Sequence, residues 1–169
     1  LQPFDYVQPQ SLADASALLL NTNGAARVCA GCTDLLIRIE RGFFHPTALV
    51  DIKALPGMQE LRVEADGSLT IGAAVTMNQV ATSQAVQQGW PLLAEGCGAV
   101  ASYQLRNRAT VGGNLCNASP AADSGPALIC YGANVTIYGP NGARSLPLEQ
   151  FFTGPGRNAL QPGELLTAI

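Results

Sequence analysis

The chain has 169 residues, of which 47% are hydrophobic and only 12% charged, and its formal net charge at pH 7 is −3. A chain of this length buries roughly 70% of its unfolded surface, so it needs neither a disulfide nor a metal to close a core. One lysine, Lys53, and eight scattered arginines make no basic stripe, which argues against a nucleic-acid partner, and no apolar run reaches the roughly 18 residues that span a bilayer.

Sparse charge points instead to a surface partly covered by a partner or a ligand. Gln2, Pro3 and Asp5 are unlike the charged and then apolar start of a secretion signal. The five cysteines, Cys29, Cys32, Cys97, Cys116 and Cys130, are odd in number, which reads as reduced thiols in a cytoplasmic protein.

In chain order, Ser11 and Asp14 make a start like a capping box, and the run to residue 20 predicts a helix ended by the turn at 21–24. Residues 27–30 read as a short buried strand, 31–33 as a turn, and 34–41 as a second helix, capped by Asp34 and closed by Gly42. Residues 49–52 are another strand, and this order predicts a small parallel sheet. Beyond residue 55 the pattern changes. Segments 60–64 and 68–72 alternate around Asp66-Gly67, a hairpin signal. Helices are predicted from Thr76 toward Gly89, from Pro91, and from Pro120 to Tyr131. Strands at 134–138 and 143–146 flank a second hairpin turn, and 164–169 is strand-like. Two lobes, 1–55 and 56–169, predict a cleft, where ligands favour binding.

Two segments carry the chemistry. Cys29-Ala-Gly-Cys32 has the spacing of a redox dithiol, but Cys29 falls on the strand rather than at a helix N-terminus, and a zinc site would need two more ligands. The better reading of Ala30-Gly-Cys-Thr-Asp-Leu35 is a strand-to-helix turn whose free N–H groups suit an anion. The second segment is RNRATVGGNLCNASPAADSGPAL, residues 106–128. Its Gly112-Gly113 pair lets the backbone turn and approach a ligand closely. It has neither the Rossmann glycine spacing nor the lysine of a P-loop. Two such loops in two lobes suit a pyrophosphate held between them.

Together, AGCTDLL at 30–36 and the 106–128 segment resemble the flavin-binding subunit or domain of the molybdenum hydroxylases, the group of xanthine dehydrogenases and bacterial carbon monoxide dehydrogenases. The resemblance covers nearly the whole chain, including Phe4-Asp-Tyr, Gly67-Ser-Leu-Thr-Ile-Gly72 and Phe152-Thr-Gly-Pro-Gly156. It implies an α+β, two-lobed FAD-binding fold of the vanillyl-alcohol oxidase or PCMH type. The small lobe would be parallel α/β, and the larger one a mostly antiparallel sheet with flanking helices. It also implies that the family's C-terminal domain is absent from these residues.

By position, the resemblance puts Arg27, Val28, Cys29, Ala30, Gly31, Cys32, Thr33, Asp34 and Leu35 around the pyrophosphate. Ala109, Thr110, Gly112, Gly113 and Asn114 would close on it from the other lobe. Asp123 would accept from a ribityl or ribose hydroxyl or from a nearby amide. Val100, Ala101, Leu105 and Leu166 would line the flavin or adenine. Cys116, beside the glycine pair, would lie close to the cofactor, with core filling as its competing account. Cys32 stands where the family usually has a second glycine, and would be strained if its φ is positive.

No acid, base or nucleophile is assigned. The implied role is electron transfer through FAD, with an iron–sulfur subunit and a molybdopterin-binding subunit as partners and NAD as an acceptor. Two competing readings are a cofactor-free structural or assembly subunit of the same fold, and a small dithiol oxidoreductase using Cys29 and Cys32.

Overall fold

The computed structural model describes residues 2–169, so Leu1 lies outside the description. Strand β1 (Asp5–Val7) opens the chain, followed by α1 (Leu12–Asn21), β2 (Ala26–Cys29), α2 (Leu35–Glu40) and β3 (Ala48–Asp51). β1 and β2 both pair parallel with the central β3, in the order β1-β3-β2. The expected capping start is present, because Ser11 Oγ accepts from the Asp14 N–H at 3.1 Å. Of these five elements β1 escaped the sequence pattern: two exposed residues and one half-buried one carry no usable alternation. α1 is pinned to the far end of the chain by Ser16, whose buried hydroxyl donates to the Gly163 carbonyl at 2.7 Å.

The remaining residues build short helices and antiparallel strands. β4 (Leu61–Val63) and β5 (Leu69–Ile71) form the expected hairpin around Asp66-Gly67. The helix expected from Thr76 to Gly89 is two helices, α3 (Met77–Thr82) and α4 (Gln84–Gly89). Ser83 breaks it: its backbone is extended and its hydroxyl accepts from the Val86 N–H at 3.5 Å, so it ends one helix and caps the next. Pro91 starts α5 (Pro91–Ala99) as expected, followed by α6 (Tyr103–Arg106) and α7 (Val111–Asn117), neither of which was foreseen. Helix α8 (Ser124–Cys130) begins four residues after Pro120, which sits in the preceding turn instead.

β6 (Asn134–Gly139) and β7 (Gly142–Pro147) then pair antiparallel around Pro140-Asn141. α9 (Leu148–Phe151), β8 (Phe152–Gly154), β9 (Arg157–Asn158) and β10 (Leu165–Ala168) complete the chain, with β10 antiparallel to β6. β5 extends onto β10 through reciprocal 2.8 Å bonds between Ile71 and Ile169. A bidentate pair from Arg144 to Glu164, both contacts 2.7 Å, ties β7 to the turn before β10.

One buried cluster runs from Ala26 and Val50 through Met77 and Leu115 to Ile137, Phe151 and Leu165. The parallel sheet and the later elements therefore share one apolar interior. A smaller cluster of Cys29, Ile39 and Leu49 lies beneath α2. Among the described residues no helix is long and apolar enough to cross a membrane.

Candidate functional site

A cavity of about 680 Å³ opens where β2 and α2 face the segment from Val100 to Asp123, with Gly156 to Leu166 along its side. Every residue expected at the cofactor lines it except Cys29. Cys29 is buried at the end of β2 and points beneath α2, on the face opposite Val28, because strand side chains alternate. Cys29 and Cys32 are joined by a disulfide with Cα atoms 5.4 Å apart, which replaces the expected pair of reduced thiols.

The first wall is a backbone turn. Gly31 lies so close to the opposite segment that a Cβ would collide with the Arg108 carbonyl, with Ala109 Cα at 3.1 Å. Glycine is required there by contact between the two walls. Cys32 adopts φ +59°, the left-handed region in which glycine is unstrained. Among the described residues, the N–H groups of Cys32, Thr33 and Asp34 donate to no protein acceptor. Asp34 does not cap α2 as expected: its backbone is already helical and its carboxylate makes no cap bond.

The second wall differs from its sequence reading. Gly112-Gly113 is the first turn of α7 rather than a tight loop, and neither glycine has positive φ. Thr110 is the N-cap, accepting from the Gly113 N–H at 3.2 Å. The N–H groups of Val111 and Gly112 are taken by the carbonyls of Val75 and Ala73. A Cβ on Gly112 would sit 2.6 Å from the Ala73 oxygen and 2.7 Å from the Ala73 Cβ. Gly112 is thus glycine because α7 packs against the strand exit at Ala73, and its N–H is not available to a ligand. What this wall offers are side chains. Asn114 is held through its carbonyl oxygen by the Ser124 hydroxyl at 2.8 Å, which leaves its amide N–H₂ for the cavity. Asp123 contributes an exposed carboxylate.

Part of the lining is apolar, including Val100, Ala101, Leu105 and Leu166. Ala101 has φ +43°, and Arg106 anchors this bend by donating to the carbonyls of Val100 at 2.9 Å and Ala101 at 3.1 Å. Arg106 is itself held by Asn78 at 3.0 Å. Cys116 lines the wall half-buried, and burial pushes its thiol up to about 12, which favours the protonated form.

Several lining residues went unread in the sequence, among them Arg38, Phe44, Asn158 and Leu160. Arg38 had a usable signal, since it lies four residues after Asp34 on the same face of α2. Asn158 had none; it arrives through β9 and donates to the Cys116 carbonyl at 2.8 Å.

The donors and acceptors suit a dinucleotide flavin. A row of unused N–H groups, an anchored amide and nearby arginines match a pyrophosphate, a carboxylate matches hydroxyls, and the apolar lining matches a ring system. A family model described as the FAD binding domain in molybdopterin dehydrogenase matches residues 2–169. The xanthine dehydrogenase FAD-binding subunit of Escherichia coli O157:H7 is 37% identical over 164 residues, which are 97% of this chain and 56% of that protein. The carbon monoxide dehydrogenase medium chain of Hydrogenophaga pseudoflava is 34% identical over 166 residues, 98% of this chain and 58% of that one. Among solved structures, the reconstituted CO dehydrogenase from Oligotropha carboxidovorans superposes with a TM-score of 0.93 at 34% identity, covering 99% of this chain and 58% of its counterpart. The chain therefore spans somewhat over half the length of these relatives. Its cofactor is FAD, and the chain belongs to the family of FAD binding domains of molybdopterin dehydrogenases.

Proposed function

We propose that residues 1–55 and 56–169 form two walls that close on FAD, and that this unit is the electron-transfer module of a molybdenum-containing hydroxylase or dehydrogenase. The module stands between an iron–sulfur subunit and an external acceptor such as NAD, in a cytoplasmic complex that also holds a molybdopterin-binding subunit. The observation that carries this reading is the row of unused N–H groups at Cys32, Thr33 and Asp34, lining the same cavity as the anchored Asn114 amide of the second wall.

In this role the N–H groups and Asn114 hold the pyrophosphate. Asp123 accepts from a sugar or ribityl hydroxyl, and Val100, Ala101, Leu105 and Leu166 cover a ring. When bound, the flavin supplies the redox chemistry; the chain binds, orients and shields it. The test is the visible absorption spectrum of the purified protein, with heat release of any chromophore. A flavin band and released FAD are the expected result. A colourless protein that takes up no added FAD would sink the reading in favour of a cofactor-free structural subunit.

The dithiol alternative draws on the Cys29–Cys32 pairing, but Cys29 is only 5% exposed. Cys32→Gly separates the two. Under reducing conditions it is expected to bind FAD at least as well as wild type, because glycine relieves roughly 1 kcal/mol of left-handed strain. Loss of FAD uptake in a folded variant would show that the thiol, rather than the turn, matters to the site.

A further inference from the structure

The function proposed above leaves the Cys29–Cys32 disulfide without a task, yet that bond spans the turn facing the cavity. It closes a ring of four residues: Cys29, Ala30, Gly31 and Cys32. Cys29 is fixed by the sheet, since it pairs in register with Asp51 and its carbonyl accepts from the Ile52 N–H at 3.2 Å. Gly31 lies against the Arg108 carbonyl of the opposite wall. Cys32 is held on one side, where its carbonyl accepts from the Leu36 N–H at 3.1 Å; among the described residues its own N–H is unused. Its φ of +59° is a conformation that costs a non-glycine residue free energy, and the bond to the fixed Cys29 helps to hold it there. The two cysteines also differ in access. Cys29 packs beneath α2 with Ile39 and Leu49, whereas Cys32 is half-buried and lines the cavity.

We propose that Cys29–Cys32 is a reducible couple that sets how tightly the turn holds FAD, and that Cys32 is the point of attack for a dithiol reductant. This rests on the FAD reading above. A thiolate of the reductant bonds to Cys32 Sγ, the Cys29–Cys32 bond breaks, and Cys29 leaves as a thiolate that takes up a proton. The second thiol of the reductant then displaces Cys32, which takes up a second proton, and the reductant departs as a cyclic disulfide. Two electrons and two protons pass to the protein. With the bond gone, Cys32 is free to leave the left-handed region, and the peptide unit that carries the Thr33 N–H turns with it. Only the fraction of molecules that keeps the turn binds FAD at full strength, so affinity falls by that fraction. The coupling is reciprocal: bound FAD opposes reduction by the same factor. In the cytoplasmic setting of the FAD reading, thiol reductants keep most cysteines reduced, so a disulfide there is a responsive one.

The test is FAD titration of flavin-stripped protein, either oxidised with a small disulfide or reduced with dithiothreitol, with alkylation of the denatured protein to count thiols. Oxidised wild type is expected to expose three thiols, those of Cys97, Cys116 and Cys130, and reduced wild type all five. Reduction is expected to weaken FAD binding by about fivefold, the scale of one residue's left-handed penalty. With FAD bound, the ratio of dithiol to disulfide that half-reduces the couple is expected to rise by about the same fivefold. Cys29→Ala cannot form the bond and is expected to bind FAD like reduced wild type under both conditions. Cys130→Ser, exposed at the end of α8 and outside the cavity lining, is expected to keep the wild-type difference. Five labelled thiols after oxidation, equal FAD affinity in the two wild-type states, or oxidised-like affinity in Cys29→Ala overturns the couple while leaving the FAD reading intact. Wild-type protein that binds no FAD in either state overturns both.

Discussion

Alanine at Gly112 is expected to lower the melting temperature by roughly 9 °C and to abolish retention of FAD. The added Cβ would meet three atoms of Ala73 at 2.6, 2.7 and 2.8 Å, two of them backbone, so relief requires moving α7 or the strand exit bodily. That motion breaks the Gly112-to-Ala73 hydrogen bond at 3.2 Å and the neighbouring Val111-to-Val75 bond at 3.0 Å. Overpacking of this kind costs about 3 kcal/mol, and each kcal/mol lowers the melting point of a domain this size by about 2–4 °C. FAD retention falls too, because Thr110 and Asn114 ride on the same turn. Gly113→Ala is the informative comparison. Its new Cβ meets only the Thr110 hydroxyl, at 2.7 Å, so it is expected to weaken one helix cap by about 1 kcal/mol. Gly89, where an added Cβ would have no neighbour within 4 Å, serves as the neutral control for alanine substitution. Thermal melting and flavin absorbance of the three variants decide the matter; a Gly112→Ala protein that melts with wild type would refute the packing account.

Asp51→Asn is expected to remove about 2 kcal/mol of stability at pH 7 and to abolish a distinct loss of stability in acid. Asp51 ends β3 with only 3% of its surface exposed. Burial raises its pKa, but this is outweighed by bonds from Lys53 Nζ at 2.6 Å, Tyr6 Oη at 2.6 Å, the Lys53 N–H at 3.0 Å and Gln8 Nε2 at 3.1 Å. The result is a pKa lowered from 3.8 to about 2. A carboxyl that is more acidic in the folded chain stabilises it above the unfolded value. That contribution is therefore complete above about pH 4 and is lost as pH falls toward 2. Stability curves for wild type and Asp51→Asn should converge over that interval, and parallel curves would refute the assignment. The consequence reaches the cavity, since Asp51 pairs in register with Cys29 and the Ile52 N–H donates to the Cys29 carbonyl at 3.2 Å. The network fixes the strand end from which the Gly31 turn departs.

Much of the cavity wall was legible from residue types. Thr110, Asn114 and Asp123 carry the polar groups such a site needs, and Gly31 sits where a strand must turn into a helix. The second glycine was legible for the wrong reason. A Gly-Gly pair suggests a sharp turn and an open ligand face, whereas Gly112 is small because Ala73, 39 positions earlier, packs against it. The α3–α4 break at Ser83 was readable in principle, because serine competes for the backbone, but the surrounding polar and small residues suit one helix as well as two.

The sequence by itself determined the short-range features: the Ser11 cap, the Asp66-Gly67 and Pro140-Asn141 hairpins, the parallel sheet around residue 50, and the membership that its two motifs announce. Capping, turn chemistry and alternation act over a few residues, so they are written locally. Only the tertiary structure decided that Cys29 lies behind the wall and Cys32 in it, that Gly31 meets Arg108, and that Arg27, Arg38 and Phe44 converge in the cavity lining. Those juxtapositions join separate elements, and they follow from closing one apolar core over both halves of the chain rather than from any local pattern.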